Sequence, residues 1–251
     1  MHEKLEMFLA QMGLSVNSTT FTIVAAVLVI FLTTVLIYYF HRRKNLRRNI
    51  LLVGLCDAGK TLLFSQLVHR RYVDTQTSIK QNVGTYVAAN KEHLNLVDIP
   101  GHERVRSHFL DQYKLMSRGL VFVLDSSTFQ KEIKDLAQWL YCLLVDGVVV
   151  NNCPRILIAC NKQDELLAKS CKVIKGVLEK EMNAVRITES ASLESMSASS
   201  NNNTYLGRPG KDFEFSHLSP LVVDFVECSA KGKDKDTPDL EQVEDWLQKI
   251  A

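Results

Sequence analysis

The sequence predicts an α/β protein: a mostly parallel, doubly wound sheet flanked by helices, preceded by one N-terminal transmembrane helix. Three observations carry that expectation. Strand-like and helix-like runs alternate from Asn49 onward, the pattern of a parallel sheet covered on both faces. The stretch FTIVAAVLVIFLTTVLIYYF, Phe21 to Phe40, has 20 residues and no charge. Between the first strand and the first helix of the alternating part lies GLCDAGKT, Gly54 to Thr61, which reads G-x-x-x-x-G-K-[ST].

The chain has 251 residues and a formal net charge of +2. About 200 of them follow the basic linker, enough for one α/β domain with its own core. Six of the 30 basic and two of the 28 acidic residues precede Asn49, which leaves 24 basic against 26 acidic in the globular part. A near-neutral domain argues against direct nucleic-acid binding. Five basic residues crowd into His41 to Arg48 (Arg42, Arg43, Lys44, Arg47, Arg48). The six cysteines show no C-x-x-C pair, so reduced thiols and no structural metal are expected.

As a helix, residues 21–40 span about 30 Å, the hydrocarbon thickness of a bilayer. Tyr38 and Tyr39 stand at its end, where interfacial aromatics belong. The basic run follows at once, while the first 20 residues carry only Glu3, Lys4 and Glu6. Positive-inside logic therefore gives a lumenal or external segment at 1–20, a span at 21–40, a juxtamembrane linker at 41–48 and a cytosolic domain at 49–251. A cleaved signal peptide would need a basic start, a shorter apolar run and a small-x-small site. A buried core helix would show a polar face. The sequon Asn17-Ser18-Thr19 lies too near the span for modification. Residue 2 is His and the last residues are QKIA, so neither N-myristoylation nor prenylation is expected; the helix is the anchor.

The remaining elements follow in order. NILLVGL (49–55) is a short, wholly apolar strand. KTLLFSQLVHRRY (60–72) is a helix. GTYVAAN and HLNLVDIP are two strands of a hairpin turning at Lys91-Glu92. GLVFVLD ends a buried strand at Asp125, and KEIKDLAQWLYCLLVDGV is helical. RILIACN ends a strand at Asn161, and ELLAKSCKVIKGVLEKEMNAV (165–185) is a long amphipathic helix. PLVVDFVECSA is the last strand. TPDLEQVEDWLQKIA closes as a helix with Thr237 as N-cap, Pro238 in the first turn and a stripe of Leu240, Val243, Leu247 and Ile250. One run, 188–211, is rich in Ser and Asn and poor in apolar residues; a mobile surface insertion is expected there.

Four motifs carry chemistry. In Gly54, Leu55, Cys56, Asp57, Ala58, Gly59, Lys60, Thr61 and Leu62, the backbone N–H groups from Asp57 onward can wrap phosphates at a helix N-terminus. Lys60 neutralises β- and γ-phosphates, and the Thr61 hydroxyl is a Mg²⁺ ligand. In DIPGH, Asp98 holds Mg²⁺ through water and the Gly101 N–H meets a γ-phosphate. In NKQD, Asp164 accepts from the ring N–H and exocyclic amine of guanine, Asn161 ties the base site to the phosphate loop, and the Lys162 stem covers the base. In CSAK, spanning Ser229, Ala230 and Lys231, the Ala230 N–H meets the guanine carbonyl. The cofactors expected are GTP or GDP with Mg²⁺. Cys56 reads as a buried, inert thiol.

Together these motifs resemble the small GTP-binding protein superfamily, over nearly all of 49–251 apart from the Ser/Asn-rich run. The resemblance implies a six-stranded, mostly parallel sheet with a phosphate loop, two switches and a base clamp. GL..AGKT and NKQD are most similar to the Arf and Sar branch. Counted from Lys60, its first switch falls on Thr75, Gln76, Thr77 and Ser78; Ser78 or its neighbour Thr77 would close on Mg²⁺. The anchor, basic linker, DIPGH and insertion together resemble the family of signal recognition particle receptor β subunits. That resemblance implies a single-pass endoplasmic reticulum membrane protein whose GTP-bound face holds the receptor α subunit for co-translational targeting.

Two departures matter. Most Ras-like and Arf-like enzymes carry Gln where this chain has His102. Two readings stand: a water-orienting catalytic residue, or a solvent-facing switch residue without a catalytic role. Slow or partner-dependent hydrolysis is expected either way. Cys56 and Asp57 also differ from the Arf branch, which has its acid one position earlier. The rival reading is a cycling Arf/Sar-like GTPase of vesicle traffic, which a permanent spanning helix disfavours. An ATP-dependent P-loop kinase is disfavoured by NKQD.

Overall fold

The computed structural model describes residues 18–196, 206–208, 210–232 and 237–251. The chain divides into two compact units, Met1–Arg47 and Arg48–Ala251. In the first, helix α1 (Ser18–Leu46) runs for 29 residues. Its side chains are described for residues 23–38 and are all exposed, Ile23, Leu28, Phe31 and Ile37 among them. Among the described residues, no helix is long and apolar enough to cross a membrane.

The second unit is built on six strands: β1 (Asn49–Val53), β2 (Asn82–Val87), β3 (His93–Asp98), β4 (Ser117–Asp125), β5 (Arg155–Asn161) and β6 (Val222–Glu227). Their order across the sheet is β2-β3-β1-β4-β5-β6. Only β2 runs antiparallel, pairing Asn82 with Asp98 and Val87 with His93. The hairpin turn closes through Lys91 N to Ala88 O at 2.9 Å, with Lys91 in the left-handed region at φ 64°, as the Lys91-Glu92 turn predicts.

Among the described residues of this unit the helices are α2 (Lys60–His69), α3 (Glu103–Tyr113), α4 (Phe129–Val145), α5 (Gly147–Asn152), α6 (Cys171–Met196) and α7 (Glu241–Ile250). Period-2 alternation divides each central strand between two cores. Leu51, Val53, Leu120, Phe122 and Leu124 pack with Leu136, Leu140 and Leu143 of α4 and with Ile174 and Leu178 of α6. Ile50, Leu52, Val121 and Val123 pack with Leu63 and Leu67 of α2 and with Val243, Trp246 and Leu247 of α7. The strands are apolar throughout because both faces are covered.

After β1 the chain moves to one side of the sheet for β2 and β3, and then crosses to the other side for β4, β5 and β6. β1 is therefore the topological switch point, and the crevice beyond its carboxyl end is where such sheets bind ligands.

Three expectations need correction. Helix α6 begins at Cys171 rather than near Glu165, because residues 162–169 close a turn through Glu165 N to Lys162 O and Lys169 N to Ser126 O. Helix α7 begins at Glu241 with no side-chain cap, because Ser229 and Asp239 exchange backbone bonds of 2.9 Å that hold the preceding residues extended; Thr237 and Pro238 lie before it. The Ser/Asn-rich run does not start as a loop. Helix α6 continues through Met196, and beyond it Leu206 is buried, its carbonyl receiving Arg186 Nη1 at 3.2 Å. Residues 197–205, the middle of that run, lie outside the described residues.

Phe122 is fully buried in the central strand β4. Phe122→Ala should lower the stability of the Arg48–Ala251 unit by about 3–5 kcal/mol in urea unfolding.

Candidate functional site

The phosphate loop connects β1 to α2. Gly54 has φ 148°, and a Cβ there would stand 2.1 Å from the Val123 carbonyl oxygen. Gly59 has φ 84°, and a Cβ would meet the Asn161 amide nitrogen at 2.4 Å. Only glycine passes between these neighbours. Asp57 also takes a left-handed backbone, φ 57°, which Asp tolerates better than most residues. No side chain caps the start of α2, so its first N–H groups and the positive end of its dipole are directed at the crevice.

Lys60 is buried and donates to the Leu55 carbonyl at 2.5 Å. Burial lowers its pKa, against the pull of Asp98 in the other direction. Asp98, at the end of β3, is 1 % exposed. One of its oxygens, Oδ2, accepts from Thr61 Oγ1 at 2.8 Å and from Asn82 Nδ2 at 3.0 Å. The other, Oδ1, is buried without a hydrogen-bond partner. Ser78 Oγ lies 3.0 Å from Thr61 Oγ1. The structure thus brings Thr61, Ser78 and Asp98 together, and it is Ser78 rather than Thr77 whose hydroxyl meets Thr61. Gly101 packs on the backbone of Leu55 and Cys56 with no room for a Cβ.

Asp57, Gly59, Lys60, Thr61, Ser78 and Gly101 line a cleft of about 270 Å³. Thr75, Gln76 and Thr77 form part of its wall, as do Leu62, Gly101 and Lys162. Cys56 also lines it and is half-buried, so the expectation of a buried thiol is corrected: the turn at Asp57 carries residue 56 to the cleft wall.

The base clamp is built on the ends of β5 and β6. Asn161 donates to the Ala58 carbonyl at 2.9 Å and accepts from the Ala230 N–H at 3.0 Å. The Ala230 N–H, expected to meet a guanine carbonyl, here donates to Asn161 Oδ1, both groups being buried. Asp164 Oδ1 accepts from Ser229 Oγ at 2.5 Å, and the same Ser229 oxygen receives the Gly232 N–H at 2.9 Å. A second recess of about 550 Å³ lies between Asp164, Leu166, Leu167, Lys231 and Gly232. Lys162 takes a left-handed backbone, φ 64°, and its Nζ sits 2.7 Å from Asp125 Oδ2. Burial pushes the Asp125 carboxyl up, but hydrogen bonds from Lys162 and Ser127 outweigh it and hold the carboxyl below its ordinary value.

With the geometry in view, three comparisons bear on the chain. The family described as "Signal recognition particle receptor beta subunit" matches residues 45–222. The chain belongs to that family. The rat signal recognition particle receptor subunit beta is 50 % identical over 212 residues, covering 83 % of this chain and 78 % of the relative. A structure described as the mammalian SRP receptor superposes with a TM-score of 0.71 at 47 % identity, covering 81 % of this chain and all of that one. The SRb-GTP/SRX complex from Chaetomium thermophilum, at 20 % identity and a TM-score of 0.64, covers 81 % of this chain and all of that one and shares the fold.

Within this receptor β-subunit chain, one expected residue stands apart. His102 is exposed and caps α3, its Nδ1 accepting the Arg104 N–H at 3.3 Å; it is not among the residues around the cleft. Two contributors escaped the sequence reading. Asn82 reaches Asp98 through the β2–β3 register, a pairing no motif encodes. Asp125 reaches Lys162 across the β4–β5 pair; its place at a strand end before Ser126-Ser127-Thr128 was the available signal.

Burial holds the Asp98 carboxyl above its ordinary 3.8, against the opposing pulls of Asn82, Thr61 and Lys60. A folded-state pKa above the unfolded one means that ionising Asp98 costs stability as pH rises through that window. Asp98→Asn should therefore raise the urea midpoint of the nucleotide-free protein at pH 7, and weaken Mg²⁺ affinity by about 10–100-fold in titrations with a nucleotide bound. Asp125 has the opposite sign: its depressed pKa contributes stability above 3.8 that is lost as pH falls below it. Asp125→Asn should flatten that acid limb of a stability-versus-pH curve.

Proposed function

We propose that this chain is the membrane-anchored, GTP-binding switch subunit of a signal recognition particle receptor. It holds the receptor α subunit at the endoplasmic reticulum membrane for co-translational targeting. The observation that carries the reading is the convergence of three separate segments on one buried carboxylate. Thr61 comes from the phosphate loop, Asn82 follows the segment of Ser78, and Asp98 ends β3.

The residues fit a magnesium nucleotide. Asp98 Oδ1 is a buried oxygen without a partner, beside two hydroxyls, where a hard cation finds oxygen ligands. Thr61 and Ser78 would hold Mg²⁺ directly and Asp98 through water. The N–H groups of 57–62 and the Lys60 ammonium would cradle the phosphates, and Asp164, set by Ser229, would accept the two guanine donors. The ion supplies charge neutralisation between the phosphates. Residues 75–78 and 99–101 wall the same cleft, so a ligand with or without a γ-phosphate biases how both segments are ordered. The surface they form is the one offered to the α subunit.

The Chaetomium complex is described as SRb-GTP with SRX, and related structures as SRb-GDP and SRb-GDP-Mg. These descriptions support guanine nucleotides here. His102, occupied as a helix cap, supports slow intrinsic hydrolysis that a partner would have to accelerate. The anchor rests on the apolar, uncharged run 21–40 within α1 and the basic residues that follow that run; the N-terminus would be lumenal and the Arg48–Ala251 unit cytosolic.

The test is the affinity of the Arg48–Ala251 unit for the receptor α subunit, loaded in turn with GDP and a non-hydrolysable GTP analogue. Tight binding with the analogue alone is expected; equal affinity in both states would sink the nucleotide-gated reading. Asp164→Asn should reduce the preference for GTP over ATP by about tenfold or more in competition binding, since the guanine donors lose their acceptor.

A further inference from the structure

All the parallel strands begin at one end of the sheet, opposite the nucleotide crevice, and that end carries an exposed apolar pair ringed by cations. A 3₁₀ turn, Lys114–Met116, leads into β4. Leu115 is 64 % and Met116 58 % exposed. The turn cannot tuck them in, because Asn152 Nδ2 holds the carbonyls of Lys114 and Leu115 at 3.2 and 3.4 Å. Among the described residues, nothing covers these two adjacent, outward-held side chains.

The strand register supplies the surroundings. Asn49 pairs with Ser117, so Arg48 and Met116 are neighbours across β1 and β4. Leu120 pairs with Ile156, which places Arg155 opposite Gly119, next to Arg118. The Asn95 N–H reaches the Arg48 carbonyl at 2.9 Å, bringing the β2–β3 hairpin with Lys91 to the same end. Arg48, Lys91 and Arg155 are exposed. Arg118 donates to the Ala251 carbonyl at 3.1 Å. The acids at this end are Asp111 and Asp146, both occupied by Lys114, and Glu92 of the hairpin.

The chain enters this same end at Arg48. Helix α1 is helical to Leu46, so the six residues after Phe40 rise about 9 Å and two extended ones add at most about 7 Å. We propose that this end of the sheet docks on an anionic phospholipid surface, Leu115 and Met116 inserting among the headgroups while Arg48, Lys91 and Arg155 meet the lipid phosphates. The inference rests on the anchoring proposed above. Apolar side chains flanked by cations match an anionic interface in both respects, and the tether keeps the surface within reach of the domain. Docking would fix the nucleotide crevice on the side of the domain that points away from the bilayer.

The test uses the full chain in vesicles of phosphatidylcholine with or without phosphatidylserine, containing brominated acyl chains as quenchers. Met116→Trp supplies a reporter; Trp139 and Trp246 are buried, so the unmodified chain gives the background. Quenching of the introduced indole is expected with phosphatidylserine and much less without it. Arg48→Gln and Arg155→Gln should each lower the docked-to-undocked ratio about fivefold, and Leu115→Ser should lower it further. An unquenched indole in a chain that floats with the vesicles would overturn the docking and leave the anchor standing. A chain that fails to float would overturn both.

Discussion

The side chain of Asn161 is the contact on which the rest of the site depends. It stands at the end of β5, and its amide donates to the phosphate loop at Ala58 while its carbonyl accepts from Ala230 beyond β6. Loops from β1, β5 and β6 are thereby clasped by one buried carboxamide. Every polar atom of the clasp is satisfied inside the protein, where an unpaired group would be costly. Because Gly59 lies against the same amide, the path of the phosphate loop and the position of the base clamp are set together.

The crevice is where the sheet reverses direction, and this accounts for its division of labour. On one side of β1 lies the antiparallel pair β2–β3, which brings Asn82 and Asp98 to Thr61. On the other side lie β4 and β5, which bring Asp125 and Lys162 together. The base side is held by ion pairs and backbone bonds. The phosphate side holds a carboxylate with one oxygen left without a hydrogen bond. Such a group is costly to bury in the empty protein, and a bound cation would offer it a partner.

The opposite end of the sheet is governed by a different constraint. Parallel strands all start there, so the residues preceding each strand gather on one surface. The ligand crevice and the end at which the chain enters at Arg48 are thus separated by the length of the strands. A chain that enters a parallel sheet at the start of its first strand has its ligand crevice at the far ends of the same strands, which is a consequence of parallel topology rather than of any single residue.

Much of this was legible in the residues alone. The apolar runs of β1, β4 and β5 required cover on both faces, and the spacing of GLCDAGKT, DIPGH, NKQD and CSAK located the loops on the strand ends. Those are local signals: side-chain period, glycine at left-handed turns, and a cation beside a helix start. Tertiary structure decided what depends on pairing between distant segments. The segment before β2 brought Ser78 rather than Thr77 to Thr61, and the β2–β3 register recruited Asn82. The bridge between Ser229 and Asp239 moved the start of the last helix to Glu241. Asn161 took the Ala230 N–H, and His102 became a helix cap. Sequence fixes what each segment can form, because propensity and pattern act over a few residues; which polar atoms are paired is decided only when strands far apart in the chain come into register.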